Sequence, residues 1–303
     1  MDNSSQRLPK SVMIFGCGYV GSALAERLIV DGVRVGALTR NQETARSLRN
    51  KGLAQVVVED VDSDRWHTIL DDYSAVVNCV SSAGGGLAGY RKSYFEGQQS
   101  ILNWAATQDL SHYIYTSSTS VYPQDGGVLI DESAETTDAP ETGQVLLESE
   151  KLIEAAASLF KSWFVLRLAG IYGPGRHFLL DQLKEGEGVI PGRGDYTLNL
   201  IHLSDIVAVI TAALSSNAAS LSGIYNVADD SPTFKRNVIA WLAAESGMPV
   251  PQFDPNIVSS RLRRRRGGRM PDRKIDNSKV KAALNWKPQF KSYREGYEGL
   301  LAG

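Results

Sequence analysis

The sequence predicts an α/β fold: a parallel sheet doubly wound by helices on both faces, with a smaller C-terminal cap. Three observations point there. Six short apolar or β-branched runs, at residues 11–15, 33–38, 54–58, 75–80, 113–116 and 163–168, read as strands. They show little alternation, as strands covered on both faces do. Helical patterns separate them, and strand–helix alternation favours a parallel sheet with right-handed crossovers. The 303 residues suffice for one large α/β unit with a smaller one attached.

Taken in order, the first strand runs into Gly16-Cys17-Gly18-Tyr19-Val20-Gly21. The following helix carries Val20, Leu24 and Leu28 on one face and stops at Asp31-Gly32. The second strand ends at Leu38-Thr39-Arg40. After about residue 170 the pattern loosens into turns at 173–175 and 191–194. A capped helix is expected over residues 204–214 and a late strand over 224–227. A helix starting near Lys235 carries Val238, Ile239, Trp241 and Leu242, and a last one near Asn277 turns Val280, Ala283 and Leu284 inward. The expected division is a dinucleotide-binding unit at 1–170 and 200–230, with a substrate-binding cap at 171–199 and 231–303.

Composition excludes several classes. Apolar residues are 43%, charged residues 22%, and the net charge is −2, so no overall basic field invites nucleic acid. The two cysteines, Cys17 and Cys79, sit in apolar runs, which argues against a disulfide framework and for a cytoplasmic setting. The opening MDNSSQRLPK lacks the apolar core of a signal peptide. No apolar run approaches the ~18–20 residues that span a bilayer. Four histidines and two distant cysteines make no metal cluster. No nucleophile elbow supports hydrolase chemistry.

The glycine run is G-x-G-x-x-G in the right setting, after a strand and opening a helix. There glycine permits a tight turn, close approach of backbone to a pyrophosphate, and close helix–strand packing. The helix N-terminus adds free N–H groups and the positive end of its dipole. The expected fold is therefore a Rossmann-type sheet whose ligand crevice lies at the strands' carboxyl ends. Gly16, Cys17, Gly18, Tyr19, Val20 and Gly21 are the first expected cofactor contacts. Asp60, Val61, Cys79, Val80, Ser81 and Thr116, at later strand ends, extend them. An acid at the tip of the second strand would bind the ribose 2′-OH of NAD. Here Thr39 and Arg40 stand instead, and a guanidinium matches a 2′-phosphate, so NADP(H) is expected, with NAD as the alternative. Arg40 also reads as a solvated loop residue, and Asp60 as a surface acid.

Further segments carry a family resemblance over nearly the whole chain. Tyr115-Thr116-Ser117-Ser118-Thr119-Ser120-Val121-Tyr122, Arg167-Leu168-Ala169-Gly170-Ile171-Tyr172-Gly173-Pro174-Gly175, Ile201-His202-Leu203-Ser204-Asp205-Ile206 and Leu284-Asn285-Trp286-Lys287-Pro288 resemble motifs of the extended short-chain dehydrogenases/reductases, the group of NAD-dependent epimerases and dehydratases. The resemblance implies Ser118 as an active-site serine and places Gly170 and Ile171 beside the nicotinamide. It implies a nucleotide sugar or another polar, acidic small molecule as substrate, and a homodimer is compatible with it. One departure is large: none of the twelve tyrosines has a lysine four residues later, so the family's tyrosine–x–x–x–lysine pair is missing. If Lys151 is the family's lysine, Leu147 fills the tyrosine position; if Glu150 is its later glutamate, the positions hold Thr142 and Leu146. The family's asparagine on the preceding helix falls near Ser93 or Tyr94. Tyr122, His177 and Glu148 stand as replacements for the missing acid, and Lys151 as the catalytic lysine.

Arg261, Arg263, Arg264, Arg265, Arg266 and Arg269 form a basic run that reads as a solvated loop, an anion-binding loop over the crevice, or a nucleic-acid patch, which the overall acidity opposes. Two functions remain: an NADP-dependent reductase, epimerase or dehydratase, and a cofactor-binding sensor or scaffold without catalysis.

Overall fold

The computed structural model describes residues 8–82, 84–186, 188–216, 218–257 and 270–301. The arginine run at 261–269 lies outside them.

In chain order the elements are β1 (Ser11–Phe15), α1 (Tyr19–Val30), β2 (Arg34–Thr39), α2 (Gln42–Asn50), β3 (Gln55–Val58), β4 (Ala75–Asn78), α3 (Gly86–Arg91), α4 (Gly97–Ala105), β5 (Leu110–Ser118), β6 (Val128–Ile130), α5 (Glu141–Ala155), β7 (Phe160–Leu168) and β8 (Gly170–Tyr172). There follow α6 (Phe178–Glu185), β9 (Val189–Pro191), β10 (Thr197–Leu198), β11 (Leu200–His202), α7 (Leu203–Leu214), β12 (Gly223–Val227), β13 (Thr233–Phe234), α8 (Lys235–Glu245), β14 (Gln252–Asp254), β15 (Arg273–Ile275), α9 (Ser278–Leu284) and α10 (Tyr293–Leu301).

Seven strands form one parallel sheet in the order β12-β7-β5-β4-β1-β2-β3. The winding reverses at β1, which has β2 on one side and β4 on the other. A crevice therefore opens beyond the carboxyl ends of β1 and β4, where neighbouring crossovers leave in opposite directions. The six expected strands all form. The fifth and sixth are longer than read because Leu110, His112, Phe160 and Ser162 extend the β5–β7 pairing. The fourth ends at Asn78, whose side-chain oxygen accepts from the Val80 N–H at 3.0 Å and turns the chain out of the sheet.

Each face of the sheet has its own core. Leu24, Leu28, Ile206, Val209, Ile210 and Val280 pack α1, α7 and α9 onto one face. Phe15, Trp66, Ile101 and Trp104 fill the other, with the Phe15 and Trp66 rings 5.0 Å apart. Burying each such aliphatic side chain contributes about 1.5–3 kcal/mol. A third cluster, with Tyr172, Leu180, Leu183, Ile190, Val238, Leu242 and Tyr297, joins α6, α8 and α10. The described part of the segment read from sequence as cap at 231–303 contributes to two cores: Ile275, Val280, Leu284 and Trp286 pack in the first cluster because α9 lies against β12 and α7.

α7 begins at Leu203, one residue before its expected start. Its cap is the His202 ring, whose Nδ1 accepts from the Ser204 N–H at 3.2 Å. His202 packs between Tyr172 and Phe290, and burial depresses it to about 4, so it accepts as the neutral ring. None of the described helices is long and apolar enough to cross a membrane.

Candidate functional site

The glycine run makes the turn its residues require. Gly16 has φ +82°, and a Cβ there would lie 2.5 Å from the backbone of Val80. β4's end thus approaches the turn closely enough to exclude any side chain. A Cβ on Gly21 would meet the Gly16 carbonyl oxygen at 2.5 Å, so α1 packs directly on the turn. Gly18 differs, since its missing Cβ faces open space. It caps α1 without a side-chain hydrogen bond, and no acid stands in that helix's first turn. This is a bare, positive helix end facing open space, which fits a pyrophosphate. Cys17 is fully buried, and burial holds its thiol far above the usual range, leaving only its backbone for a ligand.

A crevice of about 670 Å³ extends from this turn. Gly18, Tyr19 and Val20 line it, with Cys79, Val80, Ser81, Thr116, Ser117 and Ser118 from the ends of β4 and β5. Gly170 and Ile171 line it as well, together with Arg176, Phe178, Tyr196, Asn199, Met270, Arg273 and Tyr297 from later segments. The turn is tied to the cap by Tyr19, whose hydroxyl donates to the Pro174 carbonyl at 3.0 Å while Arg176 lies over its ring. Ser118 closes β5, and its Oγ accepts from the Ser120 N–H at 3.1 Å. That bond uses a lone pair and leaves the hydroxyl proton for a ligand.

Arg40 is exposed at the tip of β2 and makes no ion pair among the described residues. Thr39 beside it is buried, its Oγ1 accepting from the Asn41 N–H at 3.3 Å. Asp60 and Val61 follow β3 outside the crevice lining. Asp60 lies 3.9 Å from the Lys92 ammonium, and Val61 packs on Gly97.

The residues put forward as acids do not gather in the crevice. Tyr122 is 1% exposed and turned into the protein. Its hydroxyl donates to Asn226 Oδ1 at 2.8 Å and accepts from Arg167 Nη1 at 2.8 Å. Arg167 in turn grips Glu150, Nη2 to Oε2 at 2.6 Å, and Glu150 accepts from Ser117 Oγ at 2.6 Å. This buried network ties α5 to β5, β7 and β12. His177 stands at the N-terminus of α6 behind Arg176 and accepts from the Gly175 N–H at 3.1 Å. Lys151 is exposed on α5, away from the crevice, and Glu148 pairs with Arg91 at 2.7 Å. On the same helix Thr142 is exposed and Leu146 is buried in the first core. Besides Tyr19, the crevice is lined by Tyr90, Tyr94, Tyr172, Tyr196 and Tyr297, none of which the sequence reading put forward as a site residue. Among the described residues no His/Cys/Asp/Glu group is arranged to hold a metal.

Residues 12–228 match the model of the NAD dependent epimerase/dehydratase family. Protein YeeZ of Escherichia coli (strain K12) is 26% identical over 295 residues, covering 93% of this chain and 96% of that protein. A 3-diazoavenalumate denitrifying reductase of Streptomyces sp is 25% identical over 307 residues, covering 94% and 98%. A UDP-glucuronic acid 4-epimerase from Bacillus cereus, solved with UDP-glucuronic acid and NAD, superposes with a TM-score of 0.82 at 20% identity, covering 96% of this chain and 98% of that one. At that identity the likeness shows the fold.

Proposed function

The chain belongs to the NAD dependent epimerase/dehydratase family, and on that premise we propose an NADP(H)-preferring oxidoreductase that acts on a polar, acidic small molecule such as a nucleotide sugar. The observation that carries this reading is one crevice into which both the glycine turn and Ser118 open. The cofactor supplies a hydride there. Gly18 and the first turn of α1 receive its pyrophosphate, and the exposed Arg40 receives the 2′-phosphate. Ser118 donates to the reacting oxygen, and Arg176, on the crevice wall, offers a guanidinium to an acidic substrate.

Reduction fits better than epimerisation. On the placement that matches Glu150, bound to Arg167, to the family's later helix glutamate, the tyrosine and lysine positions hold Thr142 and Leu146. A reaction that strips a proton from a sugar hydroxyl finds no base on α5. Reduction of an electrophilic carbonyl needs a hydrogen-bond donor at the developing oxyanion, and Ser118 is one. The reductase among the relatives supports the same class. The exchanged α5 positions also favour a second reading, an NADP(H)-binding sensor without turnover. Free Cys17 and Cys79 suit a reducing, cytoplasmic setting.

The test is NADPH oxidation across carbonyl compounds and nucleotide sugars, with Ser118→Ala as the control. Turnover that this variant lowers supports the enzyme. Turnover that it leaves unchanged overturns the serine's role, and tight NADPH binding without turnover supports the sensor.

A further inference from the structure

Among the described residues that line the crevice, only Arg176 and Arg273 carry a charge. They stand at different places. Arg176 lies over the Tyr19 ring, at the glycine turn. Arg273 reaches the chain just after Ser118: its Nη2 donates to the Thr119 carbonyl at 3.0 Å and its Nη1 to the Gln124 carbonyl at 3.4 Å. We propose that Arg273 is the positioning residue for Ser118, holding the peptide whose N–H fixes the serine oxygen. This rests on the hydride-transfer reading above, in which Ser118 donates to the reacting oxygen.

One peptide unit carries the effect. Thr119–Val121 forms a single 3₁₀ turn capped by Ser118. The Ser120 N–H donates to Ser118 Oγ at 3.1 Å, and the carbonyl of that same peptide belongs to Thr119. A peptide is planar and stiff, so a group that holds the Thr119 oxygen also aims the Ser120 N–H. That oxygen has two lone pairs. The Tyr122 amide takes one at 3.3 Å and the guanidinium the other. The guanidinium also polarises the unit: a charge-assisted bond at the C=O end strengthens the N–H end as a donor. A serine oxygen that accepts a stronger bond has an O–H that donates more strongly in turn.

The C-terminal segment delivers this side chain. β15 alternates, with Arg273 and Ile275 turned inward and Lys274 outward. One edge of β15 pairs in parallel with β6. At the other edge Asn199 stands in for a strand, its Nδ2 donating to the Arg273 carbonyl at 2.9 Å and its Oδ1 accepting from the Ile275 N–H at 2.8 Å. Asp272 pins the residue before: its carboxylate accepts from the Thr197 N–H at 2.8 Å, and its N–H donates to Asp125 Oδ1 at 2.7 Å. Arg273 is 7% exposed, and out of water its bonds to the two carbonyls are stronger.

A double-mutant cycle on NADPH oxidation tests this, with phenanthrenequinone as the carbonyl probe. The quinone has no charge for Arg273 to bind directly. Arg273→Gln should lower kcat about tenfold to hundredfold, with the KM for the quinone, NADPH affinity and circular dichroism near those of the parent protein. In a Ser118→Ala background the same substitution should lower kcat no further, because residues that act through one contact are not additive. Arg273→Lys keeps a charged donor and should recover part of the rate. If Arg273→Gln does not fold, Arg273→Lys carries the same cycle with a smaller loss. Hydrogen exchange reads the position without turnover: the Ser120 amide should exchange faster in both Arg273 variants and in Ser118→Ala, while the amides of β1 keep their protection.

Full kcat in the Arg273 variants, a loss that is equal in both backgrounds, or a change in KM alone overturns the assignment. So does a Ser120 amide that exchanges as in the parent protein. NADPH that binds without being oxidised overturns the parent reading instead, and the Ser120 amide then still decides whether Arg273 holds the serine.

Discussion

The two walls of the crevice are built by different means. The wall at β1 and α1 is backbone: Gly16 is wedged against Val80, Gly21 against Gly16, and Gly18 faces open space. The wall at β5 is side chains: Ser117 and Ser118 line the cavity, and Ser117 leads into a buried network of Glu150, Arg167 and Tyr122. A backbone cradle tolerates only glycine, so it is hard to alter and keep. A side-chain wall can exchange its reactive groups while its buried network holds the geometry. On the proposed reading, cofactor binding falls to the first wall and proton transfer to the second, and the second is the one open to replacement.

The largest expected effect is on the network behind the side-chain wall. Glu150→Ala leaves Arg167, 4% exposed, without its carboxylate. Breaking a buried pair on one side costs about 3–5 kcal/mol. Urea denaturation should show that loss, and Glu150→Gln should lose less. If Glu150→Ala unfolds like the parent protein, the network does not hold this wall.

Gly16→Ala attacks the other wall. The backbone conformation alone costs an alanine about 1–3 kcal/mol, and its Cβ would meet Val80 2.5 Å away. The variant should lose NADP(H) binding at temperatures where circular dichroism still shows a folded chain. Retained binding would mean that the close approach of β4 does not shape the cradle.

A smaller effect tests a region outside both walls. Asp229, 2% exposed beside β11, is pushed up to about 7, chiefly by burial and further by Asp230, Asp205 and Glu295. An acid raised in the native state stabilises fully below its ordinary value and loses that contribution as pH rises through about 7. The slope is at most about 1.4 kcal/mol per pH unit. Asp229→Asn should therefore raise Tm at pH 8 and leave it nearly unchanged at pH 4, with cofactor binding intact at both. An equal Tm shift at the two pH values would show that Asp229 stays charged.

What could be read from the sequence follows the same division. The glycine turn, the strand tip at Thr39-Arg40 and the Ser118 strand are local patterns, set by residues a few positions apart. Tyr122 resisted reading because its partner Asn226 lies 104 positions away, and nothing local says that the hydroxyl points inward. Tyr90 and Tyr94 resisted it because a π-helical segment, Lys92–Glu96, breaks the 3.6-residue phasing by which a helix face is recognised. His177 looked like a crevice residue from its place after Arg176, yet α6 begins there and its ring turns to the Gly175 amide. His202 gave no sign of capping, since histidine is not among the usual N-cap residues.

The central claim is that this crevice is an NADP(H) site, and calorimetric titration with NADPH and NADH tests it most directly. A charge-assisted bond from Arg40 to the 2′-phosphate is worth about 1.5–3 kcal/mol, so NADPH should bind roughly tenfold to a hundredfold more tightly than NADH. Arg40→Ala should erase the difference by weakening NADPH alone. Equal or tighter NADH binding, or NADPH affinity that survives Arg40→Ala, would contradict it.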